Sequence, residues 1–311
     1  ELREEPQDPE APRRRRRKSK AQIFKEVYLP PIIVCVCLIL VITFLIGSVS
    51  NAIALKRIED EKEQMQLSES LSAAAQAEQE NQRILEQAEK LAAQYNYEDA
   101  ITLLDSVGDL TEHQDLQAKR AEYVNTMSSL VEFNNPHDIP NLSFHLLIHD
   151  MAKALQSKDY GGSYNKNFVS TSEFTKILEN LYRNGYVLVD FESFVGAKTD
   201  INGNAQFEPV PIYLPADKKP VMITETMVNY FAYMIDPNND GTTDHTGFAS
   251  KLIVDGNGDI KAEYVDANGQ TNVGNYDLVP ILEDFIKTHP DFSYRGARAI
   301  LAVTGHEGVF G

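Results

Sequence analysis

Tryptophan is absent from the 311 residues, and cysteine occurs twice. Two cysteines cannot staple a small secreted scaffold, which depends on a dense disulfide framework. Both of them, Cys35 and Cys37, fall inside one apolar run, and the chain beyond it has none. Two apart on a helix, they point to different faces and make no paired metal site. Proline is missing from residues 54–132, and glycine appears there once, at Gly108. Basic residues are also scarce: 29 Lys and Arg stand against 46 Asp and Glu, for a net charge of −17. Nucleic-acid affinity rests on cations that neutralise phosphates, so nucleic acid is excluded as a partner. The apolar share of 42% excludes wholesale disorder.

What positive charge there is lies at the start. Residues 1–55 carry a net +3, residues 56–138 −11 and residues 139–311 −9. Arg13 to Arg17, Lys18 and Lys20 form a basic block, and residues 29–49 follow without one charged side chain. Those 21 residues match the roughly 20 that a helix needs to cross a bilayer core. Pro30 and Pro31 fall in the first turn, where missing amide donors cost little. A cleaved signal peptide has a shorter apolar region, of about 7–15 residues. The expectation is therefore a basic cytoplasmic tail (1–26) and a single membrane-spanning helix (27–50), with Phe24 and Tyr28 as interfacial anchors. The basic side stays in the cytoplasm, which places the C-terminal portion outside the cell.

Residues 51–135 are rich in Ala, Glu, Gln, Leu and Lys, which are strong helix formers. The segment Leu91-Ala-Ala-Gln-Tyr-Asn-Tyr-Glu-Asp-Ala-Ile-Thr-Leu-Leu104 is similar to the middle of a tetratricopeptide-like hairpin. Only one such unit is visible, and stable arrays need about three. A helical stalk is favoured over a peptide-binding repeat, with self-association as a coiled coil through that stalk as a further expectation. Asn134-Asn-Pro-His-Asp-Ile-Pro140 is turn chemistry and marks a boundary.

Beyond it, short apolar runs predict strands at 142–148, 186–189, 221–223 and 299–303. Helical periodicity covers 171–184, capped by Thr171 or Ser172 and stopped at Asn184-Gly185, and also 277–288. Alternating strands and helices predict an α/β domain with a mainly parallel sheet. Turn chemistry at Asp255-Gly-Asn-Gly-Asp259 and Asp266-Ala-Asn-Gly269 adds a hairpin. Asp236-Pro-Asn-Asn-Asp-Gly241 imitates a calcium loop, but its twelfth position is Gly247 where a bidentate Glu is required. A solvated turn is favoured there.

Several of these blocks resemble the polysaccharide deacetylases of the NodB type, a family of carbohydrate esterases. Ile139-Pro-Asn-Leu-Ser-Phe-His145 is similar to their first strand, and residues 169–189 to their first helix and second strand. Lys219-Pro-Val-Met-Ile-Thr224 looks like the strand that delivers the catalytic aspartates. Asn229-Tyr-Phe-Ala-Tyr-Met234 and His289-Pro-Asp-Phe-Ser-Tyr-Arg-Gly-Ala297 resemble a membrane-anchored clostridial branch. The resemblance covers 139–311. It implies a partial deformed (β/α) barrel of NodB type and a divalent metal, zinc above all, held by one Asp and two His. It also implies hydrolysis of N- or O-acetyl groups on a polysaccharide such as peptidoglycan, a reaction on C–N bonds other than peptide bonds in the N-acetyl case.

The pattern fails at its centre. The general-base Asp and the metal Asp of the family fall on Thr226 and Met227. Thr is no general base at neutral pH, and a thioether cannot replace a carboxylate on hydrolytic zinc. No His-x-x-x-His pair follows before Gly311. The chain as written is expected to bind no metal and to be inactive. Two origins are open for Thr226-Met227: a real substitution, or a compensated frameshift turning GAG GAC GAT GTG into GAG ACG ATG GTG. Residues 305–311 lack a terminal element pattern, so a longer reading frame is expected. His145, Asn229, Tyr230 and Arg295 are the candidate cleft residues, since barrel-strand ends carry sites. Two alternatives stand beside the deacetylase reading: an inactive glycan-binding module, and a helical scaffold.

Overall fold

The computed structural model describes residues 19–133, 135–235 and 246–306. The basic block up to Lys18, the calcium-like loop from Asp236 to Asp244 and the residues after His306 lie outside them. The chain divides into two units, Glu1–Glu78 and Gln79–Gly311.

In the first unit the helix begins at Lys20, passes through a π-helical turn at Phe24–Tyr28 and becomes the regular helix α1 (Leu29–Ala93). Ser19 accepts from the Gln22 amide and opens it with a capping box. Residues 30–49 are exposed along this helix. Among the described residues it is one helix long and apolar enough to cross a membrane.

In the second unit α1 closes a hairpin with α2 (Tyr97–Asp105), and α3 (Gln114–Ser128) packs across both. The small residues Ala88, Ala92 and Ala100 are buried at the crossing, beside Leu104, Leu116 and Tyr123. Asp109 caps the turn at Thr111, and the third helix starts after it at Gln114. The hairpin turn is made by Tyr95 at φ 65°. Tyr95 leaves the helical cluster and joins the core below.

The α/β portion is built on β7 (Lys219–Val228). Strands β2 (Asn141–Phe144), β3 (Tyr186–Leu188) and β11 (Ile300–Val303) all pair with it in parallel. The mainly parallel sheet is thus present. Strand β7 has ten residues, far more than the short apolar run suggests, because its alternating Thr and Glu also lie in the ladder. Strand β2 is shorter than expected. At Leu147 the backbone amide turns to the Asp277 carboxylate instead of a neighbouring strand.

The helices α4 (Met151–Ala154), α5 (Gly161–Asn167) and α6 (Thr171–Arg183) connect β2 to β3. The cap of α6 is Ser170, one residue before the expected Thr171, in a full capping box with Glu173. It stops at Asn184-Gly185, where Gly185 has φ 77°. The last helices are α7 (Ala232–Ile235) and α8 (Leu278–Thr288), the latter capped by Asp277. Phe174 and Leu178 of α6 meet Leu278 and Leu282 of α8 over Ile223 and Leu188, all buried. Each such side chain contributes about 1.5–3 kcal/mol on burial.

Three additions decorate this layer. Strand β1 (Val131–Phe133) pairs with β6 (Ile212–Leu214), and β4 (Val195–Thr199) with β5 (Ala205–Pro209), both antiparallel. The expected hairpin, β8 (Lys251–Val254) with β9 (Ile260–Val265), gains a third strand β10 (Thr271–Gly274). The turns at Asp200, Asp255 and Asp266 share one chemistry: each carboxylate accepts amides two and four residues on.

Candidate functional site

Strands β2 and β7 run side by side and in the same direction, so their C-terminal ends open together. His145 follows β2 and Thr226 stands near the end of β7. The Thr226 hydroxyl lies 3.0 Å from the Phe144 carbonyl and 3.2 Å from His145 Nδ1. The hydroxyl gives its single proton to the carbonyl, so toward His145 it can only accept, from the Nδ1–H tautomer. Thr226 is therefore held, not activated.

The next residue, Met227, has φ 55°. The β7–β11 register slips there: Ala302 faces Thr226 and Val303 faces Val228, which leaves Met227 unpaired as a bulge. The bulge turns its side chain outward, 55% exposed, beside His145 and Thr226.

These residues line a cleft of about 380 Å³. Its other wall is aromatic. Tyr160, Tyr164 and Phe168 come from α5 and its flanks, and Phe231, Tyr233 and Met234 from the segment after β7. The Tyr160 and Tyr233 rings lie 5.2 Å apart, Phe231 and Tyr233 5.4 Å, and His145 and Phe168 5.1 Å. Ser163 and Asn167 supply polar groups on the same helix. Among the described residues, no Asp, Glu, Lys or Arg lines it, in a chain of net charge −17. Gly161 lets α5 approach: a Cβ there would stand 2.5 Å from the Leu155 carbonyl oxygen.

The structure brings His145, Thr226 and Met227 together and sets the other candidates elsewhere. Asn229 is fully buried; its amide donates to Thr304 Oγ1 and to the His306 carbonyl. Tyr230 is buried and donates to Asp277 at 2.7 Å. Neither is among the described residues that line the cleft. Arg295 lies at the helical hairpin, with its amide on the Gln94 carbonyl and its guanidinium 3.0 Å from Glu98. Sequence reasoning missed the aromatic wall. Tyr160, Tyr164 and Phe168 recur four apart, which is the helical signal that could have found it.

The zinc implied by the family resemblance does not fit these donors. Among its described lining residues the cleft offers one imidazole, with hydroxyls, an amide and thioethers around it, and no carboxylate. Among the described residues no three His, Cys, Asp or Glu side chains converge on a common point. Catalytic zinc takes three protein ligands from His, Asp, Glu or Cys around an open position.

The chain matches no protein-family model, no curated protein and no solved structure at a significant level.

Proposed function

We propose that the protein is a membrane-anchored, extracellular, deacetylase-like protein whose cleft holds acetylated glycan, such as peptidoglycan, without the metal-dependent hydrolysis of the NodB-type family. The observation that carries this reading is the aromatic cleft at the joined C-terminal ends of β2 and β7, without a charged side chain among its described lining residues. A sugar ring has a C–H face that packs on aromatic rings and a hydroxyl edge that needs a few polar groups. Tyr160, Tyr233 and Phe231 supply the first, and Ser163, Asn167, His145 and Thr226 the second.

The parallel β2, β3, β7 and β11 with α6 and α8 layered on them are compatible with a partial NodB-type barrel. The apolar stretch of α1 supports a single-pass anchor, and the basic block before it a cytoplasmic N-terminus. Hydrolysis is left out because of the donor set at Thr226 and Met227.

The test uses the full chain in detergent micelles. Its binding to N-acetylated and to chemically deacetylated glycan chains is measured by calorimetry, and acetate release is assayed with added zinc. Binding that prefers the acetylated polymer, with no acetate released, is the expected result. No binding by a folded chain sinks the glycan reading. Zinc-dependent acetate release returns the protein to the enzymes.

A further inference from the structure

Behind the cleft, Asp277 is buried and its carboxylate gathers three donors. The Leu147 amide lies at 3.1 Å, the Leu278 amide at 2.8 Å and the Tyr230 hydroxyl at 2.7 Å. These come from three separate places: the segment leaving β2, the first turn of α8 and the segment leaving β7. A carboxylate has about four acceptor positions. That leaves one position facing Glu225 of β7, also buried, whose carboxyl the Asp277 charge reaches. Glu225 Oε1 has no hydrogen-bond partner among the described residues.

Two carboxyl groups in contact attract each other only if one holds a proton that it can donate. Neither has a basic side chain among its hydrogen-bond partners in the described residues. The Leu147 and Leu278 amides and the Tyr230 hydroxyl already donate to Asp277, so Asp277 is the better carboxylate and Glu225 the acid. Strand β11 runs alongside Glu225 with apolar Leu301, and α6 contributes apolar Phe174 and Leu178 to the surrounding core.

We propose that the Glu225–Asp277 pair, sharing one proton, is a pH-sensitive latch that holds the two walls of the cleft together and releases them when the proton leaves. Leu147 is two residues from His145, and Tyr230 is three from Met227. Loss of the proton puts two negative charges in contact in a buried place with no cation. The pair then separates or admits water, and the Leu147 and Tyr230 tethers go with it. The regulation so described rests on the reading of the cleft as a glycan site. The latch itself is a property of the fold.

Burial pushes the Glu225 carboxyl well above the usual carboxylate range, and the Asp277 charge adds to it. The sign follows. An acid whose folded value is raised contributes its stability fully below the unfolded value of about 4.3. That stability is lost as pH rises toward the folded value.

Amide hydrogen exchange of the full chain in detergent micelles, from about pH 5 to pH 9, is the test. In the wild type, exchange at 145–148 and 277–280 is expected to accelerate with pH by an order of magnitude or more beyond the intrinsic amide rate. In Glu225→Gln, which keeps a donor and cannot ionise, the same segments are expected to follow the intrinsic rate alone. Equal pH dependence in both proteins overturns the latch. Should Glu225→Gln not fold, infrared spectroscopy of the wild type decides. A protonated carboxylic C=O band that fades with rising pH alongside the exchange supports the latch, and its absence at neutral pH overturns it. Glycan binding is measured separately across the same range. Absent binding with the exchange pattern intact removes the glycan reading and leaves the latch standing.

Discussion

The rings of Tyr95 and Tyr294 stack with centroids 6.2 Å apart and planes 23° from parallel. Tyr95 closes the helical hairpin, and Tyr294 belongs to the segment between α8 and β11. Around them the Tyr95 hydroxyl donates to the Asp291 carbonyl at 2.8 Å, and the Arg295 amide to the Gln94 carbonyl at 2.8 Å. The hairpin is thus joined to the α/β elements by a buried aromatic pair and backbone bonds, with the Arg295–Glu98 ion pair at the rim.

The two kinds of contact differ in size. Removing the Tyr95 ring leaves a cavity and an unsatisfied carbonyl, at a cost of about 3–5 kcal/mol. The Arg295–Glu98 pair is well exposed and contributes at most about 0.5–1 kcal/mol. Tyr95→Ala is therefore expected to lower the urea midpoint steeply, and Glu98→Ala hardly at all. Equal losses in the two variants would show that the ion pair, not the stack, is the joint.

The aromatic wall gives a second expectation. Tyr160 and Tyr233 are 41% and 38% exposed, so their rings add little to the core. An aromatic contact with a ligand contributes about 0.5–1.5 kcal/mol. Tyr160→Ala and Tyr233→Ala are each expected to weaken glycan binding by about 2- to 12-fold while leaving the melting temperature within a degree or two. Glu192→Ala, far along the chain from the cleft lining, serves as the control. Unchanged affinity in both tyrosine variants would take the ligand away from this wall.

Much of the fold is legible in residue order. The stopping Gly185 ends α6 where its local signal says, and the alternating elements call for parallel pairing, whereas the cap falls on Ser170 and not on Thr171 or Ser172. The length of β7 is not legible, since its Thr224, Glu225 and Thr226 read as polar surface. Glu225 finds its place only through Asp277, 52 positions away. The site divides the same way. His145 is legible as a strand end and Thr226 only through the family resemblance, whereas Asn229 and Tyr230 are placed by partners far along the chain, Thr304 and Asp277.

His149 supplies a pH prediction of opposite sense to the latch. Its ring packs against Tyr264 and Tyr276, at 4.7 and 4.4 Å between centroids. Burial pushes its value below the ordinary one; Asp150 opposes this and Lys153 adds to it. A histidine with a depressed folded value charges more readily when unfolded. Its contribution is full above the unfolded value of about 6.5 and falls as pH drops through it. The urea midpoint of the wild type is expected to fall between about pH 7.5 and pH 5 more than that of His149→Gln. Parallel curves for the two proteins would remove His149 from the acid response.

Met227 carries the last prediction, because its backbone and side chain disagree. A left-handed φ of 55° costs an ordinary L-residue about 1–2 kcal/mol, and Asp, Asn and Gly less. A Met side chain that is more than half exposed returns little through burial. The backbone at 227 therefore suits a short polar residue, such as the Asp that the family resemblance implies there, better than it suits Met. Met227→Asp and Met227→Gly are expected to stabilise the chain by about 0.5–1 kcal/mol. Met227→Val is expected to destabilise it, since a β-branched residue tolerates this region worst. Urea midpoints of the three variants check the order. Valine equal to aspartate would mean that the bulge relaxes to fit its occupant, and that its left-handed turn does not select the residue.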